Sequence, residues 1–176
     1  KNFSRGIQMN KKEEDILSVH TRQLVEQVKK TDFFDADTPA LPGIFDYATF
    51  SAAAAIKAME LGLKREPAFS LFRPPGHHAG KNFLGGFCYF NNIAIAVEKA
   101  VSLGRRVEIL DIDCHHGNGT EDIFLGAENI LYVSLHQSPL YPGTGLRAHK
   151  NCLNFPLAAG TAENDYLNIL KKALAE

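Results

Sequence analysis

Apolar positions along the chain follow two different rhythms. Over residues 12–30 (KEEDILSVHTRQLVEQVKK), Ile16, Val19, Leu24, Val25 and Val28 recur at helical spacing and predict an amphipathic helix. Residues 47–63 are alanine-rich, with Ile56, Met59 and Leu63 on one side, which predicts a helix packed closely on something flat. A further helix is expected over about 91–103, closed by Gly104 at a C′ position, and a last one from about 163. Between these helices the rhythm changes to short, continuous apolar runs: AFSLF (68–72), VEILDID (107–113), ILYVSLH (130–136) and CLNFPL (152–157). Continuously apolar strands alternating with helices predict an α/β domain whose mainly parallel sheet is covered on both faces. In such sheets ligands bind beyond the carboxyl ends of the strands. The chemically loaded stretches fall there, at HHAG (77–80), DCHHGNG (113–119) and LHQ (135–137).

Composition narrows the function classes. The 176 residues suffice for one domain with a real core, and no apolar run approaches the roughly 18 residues of a membrane span. A formal net charge of -1 provides no basic excess, so direct binding to nucleic acid is not expected. Cys88, Cys114 and Cys152 form neither a CxxC pattern nor a disulfide framework and read as free thiols. From the polar opening KNFSRGIQMNKKEED no signal peptide is expected. The expected compartment is therefore the cytoplasm, or the nucleus in a eukaryote.

The stretch LDIDCHHGNG (110–119) places two aspartates and two histidines at the end of an apolar strand. An unpaired charge buried there costs several kcal/mol, roughly, so it needs compensation by a metal, a salt bridge or solvent. Asp111 and Asp113 share a strand face, and Asp113 and His115 likewise, the arrangement of a chelating Asp-x-His pair. Carboxylate plus imidazole suits zinc, with iron, cobalt and manganese as alternatives. Gly117 and Gly119 leave room for a ligand to approach the backbone. His77 and His78 are adjacent, too close in sequence to chelate one ion, and suit a proton-transfer pair with a carboxylate or amide behind each. His20, His136 and His149 read as packing or solvent histidines, and Phe87, Tyr141 and Ser134 taken singly as ordinary core and strand residues.

RPPGHHAG, GGFCYFNNIAIA, ILDIDCHHGNGTEDIF, YVSLHQ and YPGTG, in this order, resemble the histone deacetylase family. That family includes acetylpolyamine amidohydrolases and acetoin-utilisation proteins. The resemblance runs from about residue 14 to 160. It implies the arginase/deacetylase three-layer fold and hydrolysis of an acetyl-lysine-like amide with a single zinc ion. Asp113 and His115 match two of the three metal ligands. His77 and His78 match the tandem histidines, the second taken as the base that activates water. Asp111 matches the carboxylate behind the first, and Asn118 the residue that orients the second. Asp111, Asp113, His115, Ser134 and Leu135 match a structural potassium site. Phe87 and Tyr141 match the walls of the acetyl-lysine channel, with Gly86 beside the substrate stem, and Asp37 matches a rim aspartate. Arginase-like relatives carry a further carboxylate where this chain has Gly117, which implies one metal rather than two.

The family's third ligand, a later Asp, and its transition-state Tyr have no counterpart after Gly160, and its first strand is missing. The expectation is a catalytic domain of which residues 1–176 are the N-terminal two-thirds, the missing strands lying between AFSLF and VEILDID. The remaining part of the domain is then a partner of this one, and an acetylated lysine peptide, polyamine or small amine the substrate. The alternative is a short homologue that serves as a binding or regulatory module.

Overall fold

Among the described residues three parallel strands form the sheet, in the order β1 (Val107–Asp111), β2 (Ile130–Gln137), β3 (Cys152–Leu157). The computed structural model describes residues 12–175, so the polar opening falls largely outside the described residues. Among the described residues six helices accompany the strands: α1 (Glu13–Leu17), α2 (Arg22–Lys30), α3 (Ile44–Leu63), α4 (Asn92–Ser102), α5 (Asn118–Phe124) and α6 (Glu163–Ala173). No helix among the described residues is long and apolar enough to cross a membrane.

Strand periodicity divides the sheet into two faces. Ile109, Ile130, Tyr132 and Cys152 pack with Ala94 and Val97 of α4 and Phe124 of α5. Val133, Leu135 and Leu157 pack on the other side with Ala173, Ile169 and Leu170 of α6. The α3 helix lies against α4, and its small buried residues Ala48 and Ala52 cluster with Ile95 and Ala96 of α4, which lets the two backbones approach. The result is helix, sheet and helix in three layers, the arrangement that the sequence resemblance implies.

Four expectations need correction. The helix over 12–30 is two helices, because His20 turns inward at the break. Its Nδ1 reaches Gly80 O at 2.9 Å and its Nε2 accepts from Asn91 N at 2.9 Å. Thr21 then caps α2 by accepting from Leu24 N. The AFSLF run belongs to no strand among the described residues, and Phe69 and Leu71 are 85% and 84% exposed. Its apolar pattern matches a sheet position with no neighbour here. For the same reason β1 is not covered on both faces: Leu110 and the following Ile112 are exposed, and its described partner is β2 alone. Finally, β1 ends at Asp111, so Asp113 and His115 lie in a loop and not on a strand face.

Candidate active site

Strand register assembles the polar end of the sheet. Asp111 of β1 is level with Ser134 of β2, and Ser134 with Asn154 of β3, all on the face turned toward α4 and α5. Beyond Asp111 the chain turns through its own carboxylates. Asp111 Oδ1 accepts from Asp113 N at 3.1 Å, and Asp113 Oδ1 from His115 N at 2.8 Å. Gln137 N donates to Cys114 O and fixes this loop to the end of β2.

The tandem histidines arrive from the other side. The carbonyl of His77 accepts from Gly119 N and Thr120 N, the first free donors of α5. This contact brings the two segments so close that a Cβ on Gly119 would lie 2.4 Å from Ala79 backbone atoms. A Cβ on Gly117 would lie 2.4 Å from Asp111 Oδ2 and 2.5 Å from the Tyr132 hydroxyl. The space beside both glycines is therefore filled by the protein's own atoms and is not room for a ligand, which corrects the sequence reading.

Each imidazole has its own partner. His77 Nδ1 donates to Asp111 Oδ2 at 2.9 Å, and the Tyr132 hydroxyl donates to the same oxygen at 3.0 Å. His78 Nδ1 donates to Asn118 Oδ1 at 2.8 Å, which leaves Nε2 as its acceptor. Burial acts to lower the His77 pKa, but the hydrogen bond and charge of Asp111, with Asp113 behind, outweigh it and raise the value. Burial and the neighbouring His77 charge push His78 down to about 4. Asp111 is held below the usual carboxylate range: burial opposes this, and the hydrogen bond and charge from His77 prevail.

Asp113 and His115 come together at 3.2 Å, Oδ1 to Nδ1. Two donors about 2.0–2.1 Å from one tetrahedral ion stand at about that separation, so the pair fits two positions of a zinc site. No group of three His, Cys, Asp or Glu residues gathers as a metal set among the described residues.

The aromatic and rim residues surround the same point. Tyr141 lies edge-on to His78, ring centroids 5.0 Å apart, and 6.1 Å from His115. Gly86 and Phe87 form the corner of a tight turn closed by Gly85 and Cys88, both with positive φ, at 53° and 66°. At Gly86 a Cβ would lie 2.4 Å from His78 Cδ2, so glycine is required both by conformation and by space. Phe87 pays for the left-handed backbone with strain of about 1–2 kcal/mol, is held by a hydrogen bond from its N–H to Thr38 Oγ1, and is 57% exposed. Asp37 is exposed in the same loop as Thr38, its N–H bonded to Asp35 Oδ1. Burial, and then the charges of Asp35 and Asp37, raise the Tyr141 pKa. Ser134 and Leu135 are buried under the site, Ser134 Oγ bonded to His136 Nδ1.

Sequence reading passed over Tyr132, Thr38, Glu121 and His116. Tyr132, Ser134 and His136 alternate along an otherwise apolar strand, a period-two polar face that was available as a signal. His136 and His20 prove to be buried packing histidines, and His149 is exposed. The three cysteines are free, Cys88 and Cys152 buried and Cys114 exposed.

Comparison with known proteins is consistent over nearly the whole chain. The family model for the histone deacetylase domain matches residues 5–176. A "probable deacetylase" of Archaeoglobus fulgidus is 40% identical over 92% of this chain and 49% of the relative. "Acetylpolyamine amidohydrolase 2" of Pseudomonas aeruginosa is 40% identical over 81% of this chain and 45% of its own length. The crystal structure of an HDAC homolog from Aquifex aeolicus superposes with a TM-score of 0.85 at 27% identity, covering 96% of this chain and 52% of that one. This chain spans about half the length of the curated relatives it matches. On the match of the family model, it belongs to the histone deacetylase domain family.

Proposed function

We propose that residues 1–176 form part of the catalytic domain of a zinc-dependent amidohydrolase that removes acetyl groups from lysine-like or polyamine-like amines. The observation that carries this reading is the convergence, at one strand end, of two differently backed imidazoles with the Asp113–His115 pair. The substrate class draws on the printed names of the relatives, several of which are acetylpolyamine amidohydrolases.

Asp113 and His115 would hold the zinc, with a further ligand from another part of the polypeptide. When bound, the ion supplies Lewis-acid polarisation of the amide carbonyl and lowers the pKa of a water. His78, neutral and donating through Nδ1 to Asn118, offers Nε2 to accept the proton of the attacking water. His77 is kept cationic more easily by Asp111 and supplies a proton toward the leaving amine. Phe87 and Tyr141, with Gly86 beside them, flank an alkyl stem whose methylenes gain ~0.8 kcal/mol each on burial. Asp37, next to Asp35, holds the polar or cationic end at the rim. A structural potassium among oxygens of Asp111, Asp113, His115, Ser134 and Leu135 completes the reading, supported by the register of Asp111 with Ser134.

The test is acetate release by the complete zinc-loaded polypeptide from acetyl-lysine peptides and acetylated polyamines, side by side, with wild type and Asp37→Ala. Turnover lost on chelation and restored by zinc supports the reading. A polypeptide that binds either compound without releasing acetate would establish a binding module instead. If Asp37→Ala slows neither substrate, the rim assignment is wrong.

A further inference from the structure

Beneath the described site lies a second histidine pair that the proposed chemistry does not use. His116 and His136 are both 2% exposed, and their ring centroids are 4.6 Å apart. Every ring nitrogen has a partner. His116 Nε2 donates to Glu121 Oε2 at 3.0 Å, and its Nδ1 lies 2.8 Å from Thr144 Oγ1. His136 Nε2 donates to Gly145 O at 3.1 Å, and its Nδ1 accepts from Ser134 Oγ at 2.9 Å. Asn154 of β3 joins the network from the third strand, donating to Glu121 Oε2 at 2.7 Å and to Arg147 O at 3.1 Å.

All three contacts outward from this network end on one segment, the loop that carries Tyr141. Thr144, Gly145 and Arg147 are held, and Gly143 N closes the turn back to Leu140 O. Gly145 sits directly on the two rings. A Cβ there would lie 2.5 Å from His116 Cδ2 and 2.7 Å from His136 Cε1, and its φ of 73° already disfavours any side chain. Loops that bear functional groups are precise only where a rigid element fixes them. Here β2, β3 and α5 supply that element through two imidazoles.

We propose that His116 and His136 are positioning residues: the pair of rings, tilted 49° to each other, is a seat for Thr144 and Gly145 that fixes the angle at which Tyr141 stands beside His78. The inference rests on the reading of Tyr141 as a wall of the substrate channel. Neither histidine touches substrate in this scheme. The seat sets how tightly an alkyl stem is gripped, and leaves the proton transfers to His77 and His78.

The test uses the complete polypeptide with Thr144→Val, which replaces a hydroxyl by a methyl group on an exposed loop residue, and Gly145→Ala. His136→Phe keeps an aromatic ring and loses both the donor to Gly145 O and the acceptor for Ser134 Oγ, and His136→Gln keeps an N–H at the end of the side chain. Backbone hydrogen exchange is read over 140–146 and over β2, together with kcat and KM for an acetylated long-chain amine. Thr144→Val, Gly145→Ala and His136→Phe should each speed exchange in 140–146 by about tenfold while β2 stays protected. They should raise KM about tenfold with kcat little changed, as expected for a misplaced pocket wall. His136→Gln should remain close to wild type. Exchange in 140–146 that is unchanged in both Thr144→Val and Gly145→Ala overturns the proposal, as does a rise that spreads equally through β2. If the wild type releases no acetate while exchange still responds locally, the seat stands and the hydrolytic reading falls.

Discussion

The rings of His77 and His78 lie 4.0 Å apart, yet they are pushed in opposite directions, His77 up toward its cation and His78 down to about 4. The difference comes from what stands behind each ring. Asp111 offers a full negative charge and Asn118 a neutral carbonyl oxygen, so one member of the pair is disposed to give a proton and the other to take one. His78→Ala in the complete enzyme should therefore lower kcat by ~10²–10⁴-fold, the usual worth of a general base, while zinc content stays unchanged. Steady-state kinetics with metal analysis of the same samples checks this. Retained turnover would move the base to another group.

The metal reading makes a stoichiometric prediction. With Asp113 and His115 as ligands and glycine at 117, the complete polypeptide should bind one zinc equivalent per chain. His115→Ala should reduce that occupancy sharply. Elemental analysis returning two equivalents in the wild type would refute a single-metal site.

At Gly117 the constraint is steric. An added methyl meets Asp111 Oδ2 and the Tyr132 hydroxyl at 2.4 and 2.5 Å, both held by hydrogen bonds. Gly117→Ala should cost about 1–3 kcal/mol, the range for overpacking a filled site, and should separate Asp111 from His77. Urea unfolding measures the first effect, and the pH titration of His77 by NMR the second. Unchanged stability would mean that the loop moves aside freely.

Acid should destabilise the fold through His20. Its pKa is lowered to about 4, chiefly by burial, from an ordinary 6.5 in the unfolded chain. Between those values the unfolded state binds the extra proton, so stability is full above about pH 6.5 and declines as pH falls toward 4. The loss by pH 4 is about 3 kcal/mol from this group. His78 and His136, also lowered, act in the same direction. His20→Gln cannot titrate and should flatten the decline, measured as urea midpoints at pH 7 and 4.5. An identical decline in wild type and variant would assign it to other groups.

The open side of the sheet predicts how the 176-residue chain behaves alone. A cleft of about 540 Å³ runs along β1, lined by Pro75, His77, Ile93, Leu110, Ile112 and Asp113, and AFSLF stands exposed nearby in the sequence. Unpaired strand edges and exposed apolar side chains favour association. Produced by itself, the chain should associate or unfold without a sharp transition, and should be rescued by the rest of the polypeptide. Size measurement and thermal unfolding decide it. A soluble monomer with one sharp transition would overturn the partial-domain proposal.

Local pattern determined the elements and much of the chemistry. Three of the four predicted helical segments and three of four apolar runs lie where periodicity puts them, because burial of one face is written into residue spacing. Asp-x-His, His-His and the five motifs named the candidate residues, since each depends on residue type at short range. Tertiary structure decided the rest. AFSLF reads as a strand, but a strand exists only where a neighbour offers hydrogen bonds, and none of the described residues does so. The 12–30 helix breaks because His20 finds partners sixty and more residues away, at Gly80 and Asn91. Gly117 and Gly119 look open in sequence and are packed tight in space. Which oxygen backs each histidine, and that His116 and His136 meet beneath the Tyr141 loop, follow from contacts between segments distant in the chain. No local spacing encodes those contacts.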